Sequence, residues 1–197
     1  MPLQRIVIDP DIKALIFDCD GTLVDSMPTH MHAWREAFVR FGVNLDERFI
    51  AARRGMKETE IVRQYNDAFR TGIDPERIVD LKHQIFLSHL DQVAAIEPVV
   101  AVANLFHGKL PLAVVSGGVK KVVQSELLAV GILDLFEVIL TADDPYRPKP
   151  DPEIFLEASR RMKVDPSFCL VFEDGDAGLI GAAGAGMKAL DVRSYMK

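Results

Sequence analysis

The sequence is poor in several residue types, and each shortage excludes a class of protein. Among its 197 residues there are two cysteines and one tryptophan, and 8% of the residues are aromatic. Cys19 and Cys169 both lie in apolar, strand-like runs, so we expect buried free thiols and neither a disulfide framework nor a zinc site. No uncharged apolar run is long enough to cross a bilayer. Residues 1–11 lack the apolar region of a signal peptide, which predicts a cytoplasmic protein.

Positive charge is also scarce. The chain has 23 Lys and Arg residues against 29 Asp and Glu, a formal net charge of -6. A nucleic-acid-binding protein held by a broad basic surface is therefore disfavoured. Anionic small molecules are still possible ligands, because a metal ion and a few local cations can outweigh the global charge. With 49% hydrophobic residues, the length predicts one sizeable domain, or one domain with an insertion.

Two kinds of periodicity divide the chain. Between residues 27 and 95 the spacing of apolar residues predicts four helices and no strand, over residues 27–42, 46–52, 57–69 and 75–93. Elsewhere short apolar strands alternate with helices, which predicts parallel pairing with helices on both faces. The expected fold class is α/β, a Rossmann-like doubly wound parallel sheet with an inserted four-helix cap. The predicted core is 1–26 with 96–197, and the predicted cap is 27–95.

The first predicted strand, 14–17, ends in two acidic residues. Asp18 and Asp20 are two positions apart, so both would point to the same side of an extended chain. Two adjacent carboxylates repel each other, and a divalent cation with oxygen ligands would relieve that repulsion. A solvated turn is the other interpretation, because Asp and Gly are common turn residues. Residues 18–21 alone are compatible with both interpretations, a cation site and a solvated turn.

The other predicted strands also end in polar residues. Ser116 and Gly117 follow the second strand, Lys149 lies in the loop after the third, and Glu173-Asp174 ends the fourth. Ligands of open parallel sheets bind outside the carboxyl ends of the strands. Carboxylates, a hydroxyl, a glycine pair and a lysine together supply what phosphoryl transfer needs: a nucleophile, a metal site and donors to phosphate oxygens.

These residues carry a resemblance to a known family. The stretch from Asp18 to Ser26, Ser116, Lys149-Pro150 and Glu173-Asp174 resemble, in order, the four motifs of the haloacid dehalogenase (HAD) superfamily. A helical insertion after the first motif is similar to the subgroup of β-phosphoglucomutase and small phosphosugar phosphatases. The stretch 28–34 resembles bacterial fructose-1-phosphate phosphatase-like proteins.

The resemblance implies a role for each motif residue. Asp18 would be the nucleophile that forms an aspartyl phosphate, and Asp20 would be the general acid and base. Lys149 would neutralise Asp18 and the phosphate, while Ser116 and the Gly117 amide would bind phosphate oxygens. The implied Mg²⁺ site consists of Asp18, Asp20 through its carbonyl, Asp174, and Glu173 as a ligand or an outer support.

The same resemblance implies that the cap selects the substrate. His30 falls where the family has a hinge histidine, and at least one of Arg53 and Arg54, together with Lys57, would face the site. The other histidines (32, 83, 89 and 107) are expected to be structural or solvated. Glu58 stands where the mutases have an arginine that holds a second phosphate, and an acid there favours hydrolysis.

The expected function is a Mg²⁺-dependent phosphatase of small phosphomonoesters, with sugar phosphates as the first substrate class. A phosphomutase of the β-phosphoglucomutase type is the alternative within the same chemistry. A non-enzymatic phospho-acceptor regulator is a third hypothesis. It is disfavoured because such modules lack a helical insertion after the first strand and do not need Asp20. The expected partner is a small phosphorylated metabolite, without nucleic acid or membrane, and the chain is expected to be a monomer or weak dimer.

Overall fold

The computed structural model describes residues 6–53 and 55–195. The chain forms two compact units. The first, Met1–Asp25 with Ala94–Lys197, is called the core unit here, and the second, Ser26–Val93, is called the helical unit. Among the described residues, no helix is both long and apolar enough to span a membrane.

The core unit is built on a parallel sheet of five strands. The strands, in chain order, are β1 Ala14–Phe17, β4 Leu112–Val115, β5 Val138–Leu140, β6 Cys169–Glu173 and β7 Lys188–Asp191. Their order across the sheet is β5-β4-β1-β6-β7, so the chain builds outward on one side of β1 and then on the other. This confirms the predicted doubly wound α/β fold. It also puts the topological switch point, the usual ligand crevice, at the carboxyl end of β1.

Four helices cover this sheet, and they are α5 Glu97–Phe106, α6 Lys120–Ala129, α7 Glu153–Met162 and α8 Asp176–Gly184. All four residues of β1 are fully buried, as a central parallel strand covered on both faces requires. On one face Ala14 and Ile16 join a core that includes Phe155 of α7 and Ala182 of α8. On the other, the Phe17 and Phe172 rings stack with centroids 4.6 Å apart.

The helical unit contains α1 Met27–Arg40, α2 Glu47–Ala51, α3 Glu58–Phe69 and α4 Pro75–Leu87. Asp46 and Asp74 begin α2 and α4: the Asp46 side chain accepts hydrogen bonds from two first-turn amides, and the Asp74 side chain accepts one from the Arg77 amide. The Tyr65 ring fills the centre of the unit, where it lies edge-on to Phe38 and stacks on Phe69.

Two local predictions about the insertion were wrong. A two-residue antiparallel pair joins β2 Val24–Asp25 to β3 Ala94–Ala95, where no strand was predicted. Helix α4 ends at Leu87 rather than at residue 93. It ends there because the Ser88 hydroxyl and the His89 ring both bond to the Ile85 carbonyl, which takes the place of a further helical turn.

Candidate active site

The carboxyl ends of β1 and β6 lie side by side. Phe17 pairs with Phe172 in the sheet register, and the Asp18 amide donates to the Phe172 carbonyl at 3.0 Å. The next residues along the two strands are therefore Asp18 and Glu173, and both are buried. The two acidic motifs, far apart in sequence, meet at the switch point of the sheet.

Lys149 joins these two carboxylates. Its Nζ donates to Asp18 Oδ1 at 2.6 Å and to Glu173 Oε2 at 2.7 Å. The ammonium also lies 5.5 Å from the centre of the Phe155 ring. Charge-assisted bonds of this length are strong, and they hold the lysine in a single direction. The loop after β5 thus delivers its cation to the ends of β1 and β6.

The ionisation of the cluster follows from crowding of like charges. Burial first, and then Glu173, raise the pKa of Asp18 well above its ordinary value, and Lys149 only partly offsets them. Burial and Glu173 also raise the pKa of Asp174. Burial opposes the charge on Lys149, yet Asp18 and Glu173 raise the pKa of its ammonium, which therefore stays charged.

The same residues fit a divalent cation. One carboxylate oxygen from each of Asp18, Glu173 and Asp174 lies within 4.8 Å of the others. Three carboxylates against one ammonium leave an excess of negative charge, and oxygen donors are the ligands that Mg²⁺ prefers. Glu173 has protein donors on both oxygens, since Oε1 accepts from the Gly175 amide at 2.9 Å and Oε2 from Lys149. This arrangement suits Glu173 to an outer, supporting position.

Two residues of the first motif position Asp174. The Thr22 hydroxyl, fully buried, donates to Asp174 Oδ1 at 3.1 Å. Gly21 has a φ of +80°, and a Cβ there would lie 2.5 Å from Asp174 Oδ2. Glycine is therefore required both by the backbone conformation and by the close approach of the carboxylate. The sequence indicated no separate role for Thr22, although this hydroxyl residue directly follows Asp20-Gly21.

Asp20 lies beside the candidate phosphate loop. A Cβ on Gly118 would lie 3.4 Å from Ser116 Oγ and 3.5 Å from Asp20 Oδ2, so the loop after β4 and the Asp20 carboxylate are neighbours. Ser116 is buried, and its Oγ accepts from the Gly118 amide at 3.0 Å, which shapes the turn into α6. Gly117 is exposed at the tip of this turn.

Cys19, between the two aspartates, anchors the loop. Its carbonyl accepts the amides of Thr22, Leu23 and Val24, and its thiol donates to Glu126 Oε2 of α6 at 3.6 Å. Burial and the nearby carboxylates raise the pKa of this thiol well above its ordinary value. Both cysteines are buried and free, as expected, and Cys19 is a structural residue rather than a nucleophile.

The glycines spaced by three in α8 have specific neighbours. A Cβ on Gly178 would lie 1.9 Å from Glu173 Oε2, so this glycine provides the volume that the Glu173 carboxylate occupies. A Cβ on Gly181 would lie 2.8 Å from the Phe155 ring, and one on Gly184 only 3.5 Å from Pro152. These glycines therefore allow α8 to approach the end of β6 and the start of α7 closely.

Asp176, for which the sequence offered no role, forms an ion pair. Its Oδ1 lies 2.9 Å from Arg193 Nη1, and the same guanidinium contacts both oxygens of Asp191 at the end of β7. The side chain of Asp176 is largely exposed. This pair ties the first turn of α8 to the end of β7, outside the carboxylate cluster.

The predicted His30 is part of a polar network in the helical unit. Lys82 Nζ lies 2.8 Å from His30 Nδ1 and 2.6 Å from Glu58 Oε1, and the His83 ring contacts the other Glu58 oxygen at 2.5 Å. An ammonium can only donate, so His30 accepts at Nδ1 and is the neutral tautomer. Its ring stacks on Phe86 with centroids 3.9 Å apart.

The basic residues of the cap that were predicted to face the substrate have different environments. Lys57 is exposed and directly precedes α3. Arg54 lies outside the described residues. Arg53 is held within the helical unit, where its guanidinium covers the Phe49 ring at 3.4 Å and its Nε donates to Gln64. Arg53 therefore has a structural role in this unit.

Comparison with known proteins agrees with the motif order. The family description "haloacid dehalogenase-like hydrolase" matches residues 12–186. The chain belongs to the haloacid dehalogenase-like hydrolase family. Among curated relatives, the chain is 35% identical over 179 residues to "Fructose-1-phosphate phosphatase YqaB" of Escherichia coli K12, covering 91% of this chain and 95% of the relative. A "Validoxylamine A 7'-phosphate phosphatase" of Streptomyces hygroscopicus subsp. limoneus is 31% identical, over 89% of this chain and 83% of that protein.

Solved structures of HAD proteins share the fold. The crystal structure of a β-phosphoglucomutase from Clostridium difficile superposes with a TM-score of 0.76, covering 90% of this chain and 83% of that chain. At 24% identity this likeness concerns the architecture alone. The predicted membership of the HAD superfamily is confirmed.

Proposed function

We propose that this HAD protein is a Mg²⁺-dependent phosphatase that hydrolyses small phosphomonoesters, sugar phosphates foremost, through an aspartyl-phosphate intermediate. One observation carries the proposal. Lys149 is shared between Asp18 and Glu173 at the switch point of the sheet, with Asp174 completing a carboxylate cluster. A buried carboxylate held by a lysine beside two further acids suits a nucleophile that must meet an anionic phosphate.

The proposed Mg²⁺ would be held by Asp18, Asp174 and the Asp20 carbonyl, with Glu173 as an outer support. When bound, the ion would offset the negative charge of the phosphate and of the carboxylates. Glu173 accepts from Lys149 and from Gly175, so its part is to keep Lys149 directed at Asp18. Thr22 keeps Asp174 in place through its hydroxyl.

The first half of the reaction transfers the phosphoryl group to the protein. A carboxylate oxygen of Asp18 attacks phosphorus, and the bond from phosphorus to the ester oxygen breaks. Asp20 gives its proton to the departing oxygen, which leaves as an alcohol. Lys149 stabilises the charge that gathers on the transferring group. The products of this half are the alcohol and an acyl phosphate on Asp18.

The second half restores the enzyme. Asp20, now a carboxylate, removes a proton from a water molecule as that water attacks phosphorus. The bond from phosphorus to Asp18 breaks, inorganic phosphate leaves, and both aspartates return to their first states. Ser116 and the Gly117 amide, at the turn into α6, are the proposed donors to phosphate oxygens throughout.

We further propose that residues of the helical unit select the substrate, with His30, Arg54 and Lys57 as the candidates. The two relatives described above are named for phosphatases of fructose 1-phosphate and of validoxylamine A 7′-phosphate, which supports phosphorylated, hydroxyl-rich small molecules as substrates. Within the unit, the contact of Nδ1 with Lys82 and the stacking on Phe86 fix the orientation of the His30 ring.

Hydrolysis is favoured over the phosphomutase alternative because residue 58 is Glu and not the arginine of the mutase pattern. The mutase pattern needs a cation at this position to hold a second phosphate. Glu58 instead forms ion pairs with Lys82 and contacts the His83 ring. Its charge is therefore compensated within the helical unit, so Glu58 repels a second phosphate only weakly, but the chain has no arginine at this position to hold that phosphate.

The test is phosphate release from a panel of sugar phosphates, with fructose 1-phosphate included, in the presence of Mg²⁺. We expect turnover that EDTA abolishes and that Asp18→Asn removes. Asp9→Asn is the matched control, because Asp9 pairs with Lys188 on the surface and should leave turnover unchanged. Robust turnover by Asp18→Asn would overturn the mechanism, and isomerisation of a sugar phosphate without net release would favour the mutase.

A further inference from the structure

A second group of metal-ligating side chains lies in the helical unit, apart from the carboxylate cluster. One ring nitrogen from each of His32 and His89 and one oxygen of Glu36 lie within 4.8 Å of one another. All three side chains are half-buried. Two imidazoles with one carboxylate form a donor set that suits Zn²⁺ and similar transition metals, whereas Mg²⁺ prefers oxygen donors alone.

The spacing on α1 places two of the ligands together. His32 and Glu36 are four residues apart on one helical face, which brings their side chains into contact. His32 Nε2 lies 3.6 Å from Glu36 Oε2. Around a tetrahedral ion with bonds of about 2.1 Å, neighbouring ligand atoms are about 3.4 Å apart. The pair therefore needs almost no rearrangement to share an ion.

The Glu36 carboxylate and the His89 ring are both oriented by partners outside the cluster. Arg40 holds Oε1 of Glu36, which leaves Oε2 turned towards His32. His89 Nδ1 lies 2.8 Å from the Ile85 carbonyl, and because a carbonyl only accepts, Nδ1 carries the proton. The lone pair of His89 is then on Nε2. Support of this kind, from a backbone carbonyl or a charged partner, is typical of metal-ligating side chains.

His89 comes from a different element than the other two ligands. It follows the end of α4, and its ring lies edge-on to that of His32 with centroids 4.9 Å apart. The bond from His89 to Ile85 is also what ends α4 early. The three side chains thus bring together α1 and the end of α4, two helices that pack against each other in the helical unit.

We propose that His32, Glu36 and His89 form a Zn²⁺ site in the helical unit, with water completing the coordination, and that the ion cross-links α1 to the end of α4. The site is separate from the phosphatase chemistry, because none of its ligands belongs to the carboxylate cluster of the core unit. Its expected effect is to stabilise the helical unit, since the ion binds the folded arrangement of three residues that unfolding separates.

The test is calorimetric titration of the full chain with Zn²⁺ in saturating Mg²⁺, which occupies the oxygen-donor site. We expect one Zn²⁺ equivalent whose affinity falls at least tenfold in both His32→Ala and His89→Ala. The matched control is His107→Ala, an exposed histidine of the core unit that should leave the affinity unchanged. Co²⁺ in place of Zn²⁺ should give the visible absorption of a tetrahedral site, and His32→Ala should lose it.

The opposite results would overturn the proposal. Equal Zn²⁺ affinity in the wild type and in both histidine variants would show that the cluster holds no ion. Loss of the Zn²⁺ equivalent in Asp174→Asn alone would place the ion in the core unit instead. If either alanine variant does not fold, Glu36→Gln removes the carboxylate charge at the surface while both rings remain, and it should weaken Zn²⁺ by the same order.

Discussion

The Glu173 carboxylate occupies the space that a side chain at Gly178 would need: a Cβ on Gly178 would lie 1.9 Å from Glu173 Oε2 and 2.2 Å from its carboxyl carbon. A side chain at position 178 must therefore displace the carboxylate that directs Lys149. The Glu173 carboxylate fits against α8 because residue 178 carries a hydrogen in place of a side chain. Helix α8 therefore helps to position this carboxylate.

Replacing Gly178 by Ala should reduce kcat by about a hundredfold, because a displacement of about 1 Å at a positioned group can cost that much. The protein should stay folded, since α8 gains helix propensity. Phosphate release and circular dichroism measure the two effects. Gly184→Ala is the matched control in the same helix, where the new methyl meets Pro152 at 3.5 Å, and it should keep full activity. Equal kcat in both variants would contradict the role of Gly178.

Thr22 is expected to tune the metal site through Asp174. Thr22→Val keeps the shape of the buried side chain but removes the hydroxyl that donates to Asp174 Oδ1. We expect the Mg²⁺ affinity to fall by roughly 10–100-fold, the usual cost of losing an outer-shell partner. Thr22→Ser keeps the donor and should stay near the wild type. The Mg²⁺ dependence of phosphate release measures this, and an unchanged dependence in Thr22→Val would exclude it.

Mg²⁺ should stabilise the protein against heat. With the ion at a hundred times its Kd, the gain is about 2.7 kcal/mol, which corresponds to a rise in Tm of roughly 5–10 °C for a chain of this size. Asp174→Asn should lose most of this rise, because the carboxylate is one of the proposed ligands. Thermal unfolding with and without Mg²⁺ measures the shift. A full rise in Asp174→Asn would show that Mg²⁺ acts elsewhere.

Glu58 should make stability depend on acid. Burial alone would raise the pKa of Glu58, but Lys82 and His83 together lower it to about 2. The folded pKa is therefore below the unfolded one, so the stabilisation is present above about pH 4.5 and is lost as the pH falls towards about 2. Its size is about 3 kcal/mol at neutral pH.

The measurement is the free energy of unfolding of the wild type and of Glu58→Gln between pH 7 and pH 3. The variant should be less stable at pH 7, and the gap should narrow steadily below about pH 4.5. Gln can still bond to Lys82, which keeps the comparison close to a change of charge. A gap that stays constant across this range would show that the charge of Glu58 contributes nothing.

Several features of this protein could be predicted because they depend on local rules. The five core strands follow from short apolar runs, and the positions of Asp18, Ser116 and Glu173 follow because parallel strands end at one edge. The helical unit was visible as apolar spacing without strands. Its short ribbon at residues 24–25 and 94–95 was not, because two-residue strands have no periodicity to detect.

The sequence by itself determined the order of the elements, the residue types of the candidate active site and the family. Only the tertiary structure decided which side chains touch. Lys149 reaches Asp18 across 131 residues of chain, Gly178 makes room for Glu173, and His89 approaches His32 and Glu36. Each of these depends on how separate elements pack in space, and distance along the chain carries no information about that packing.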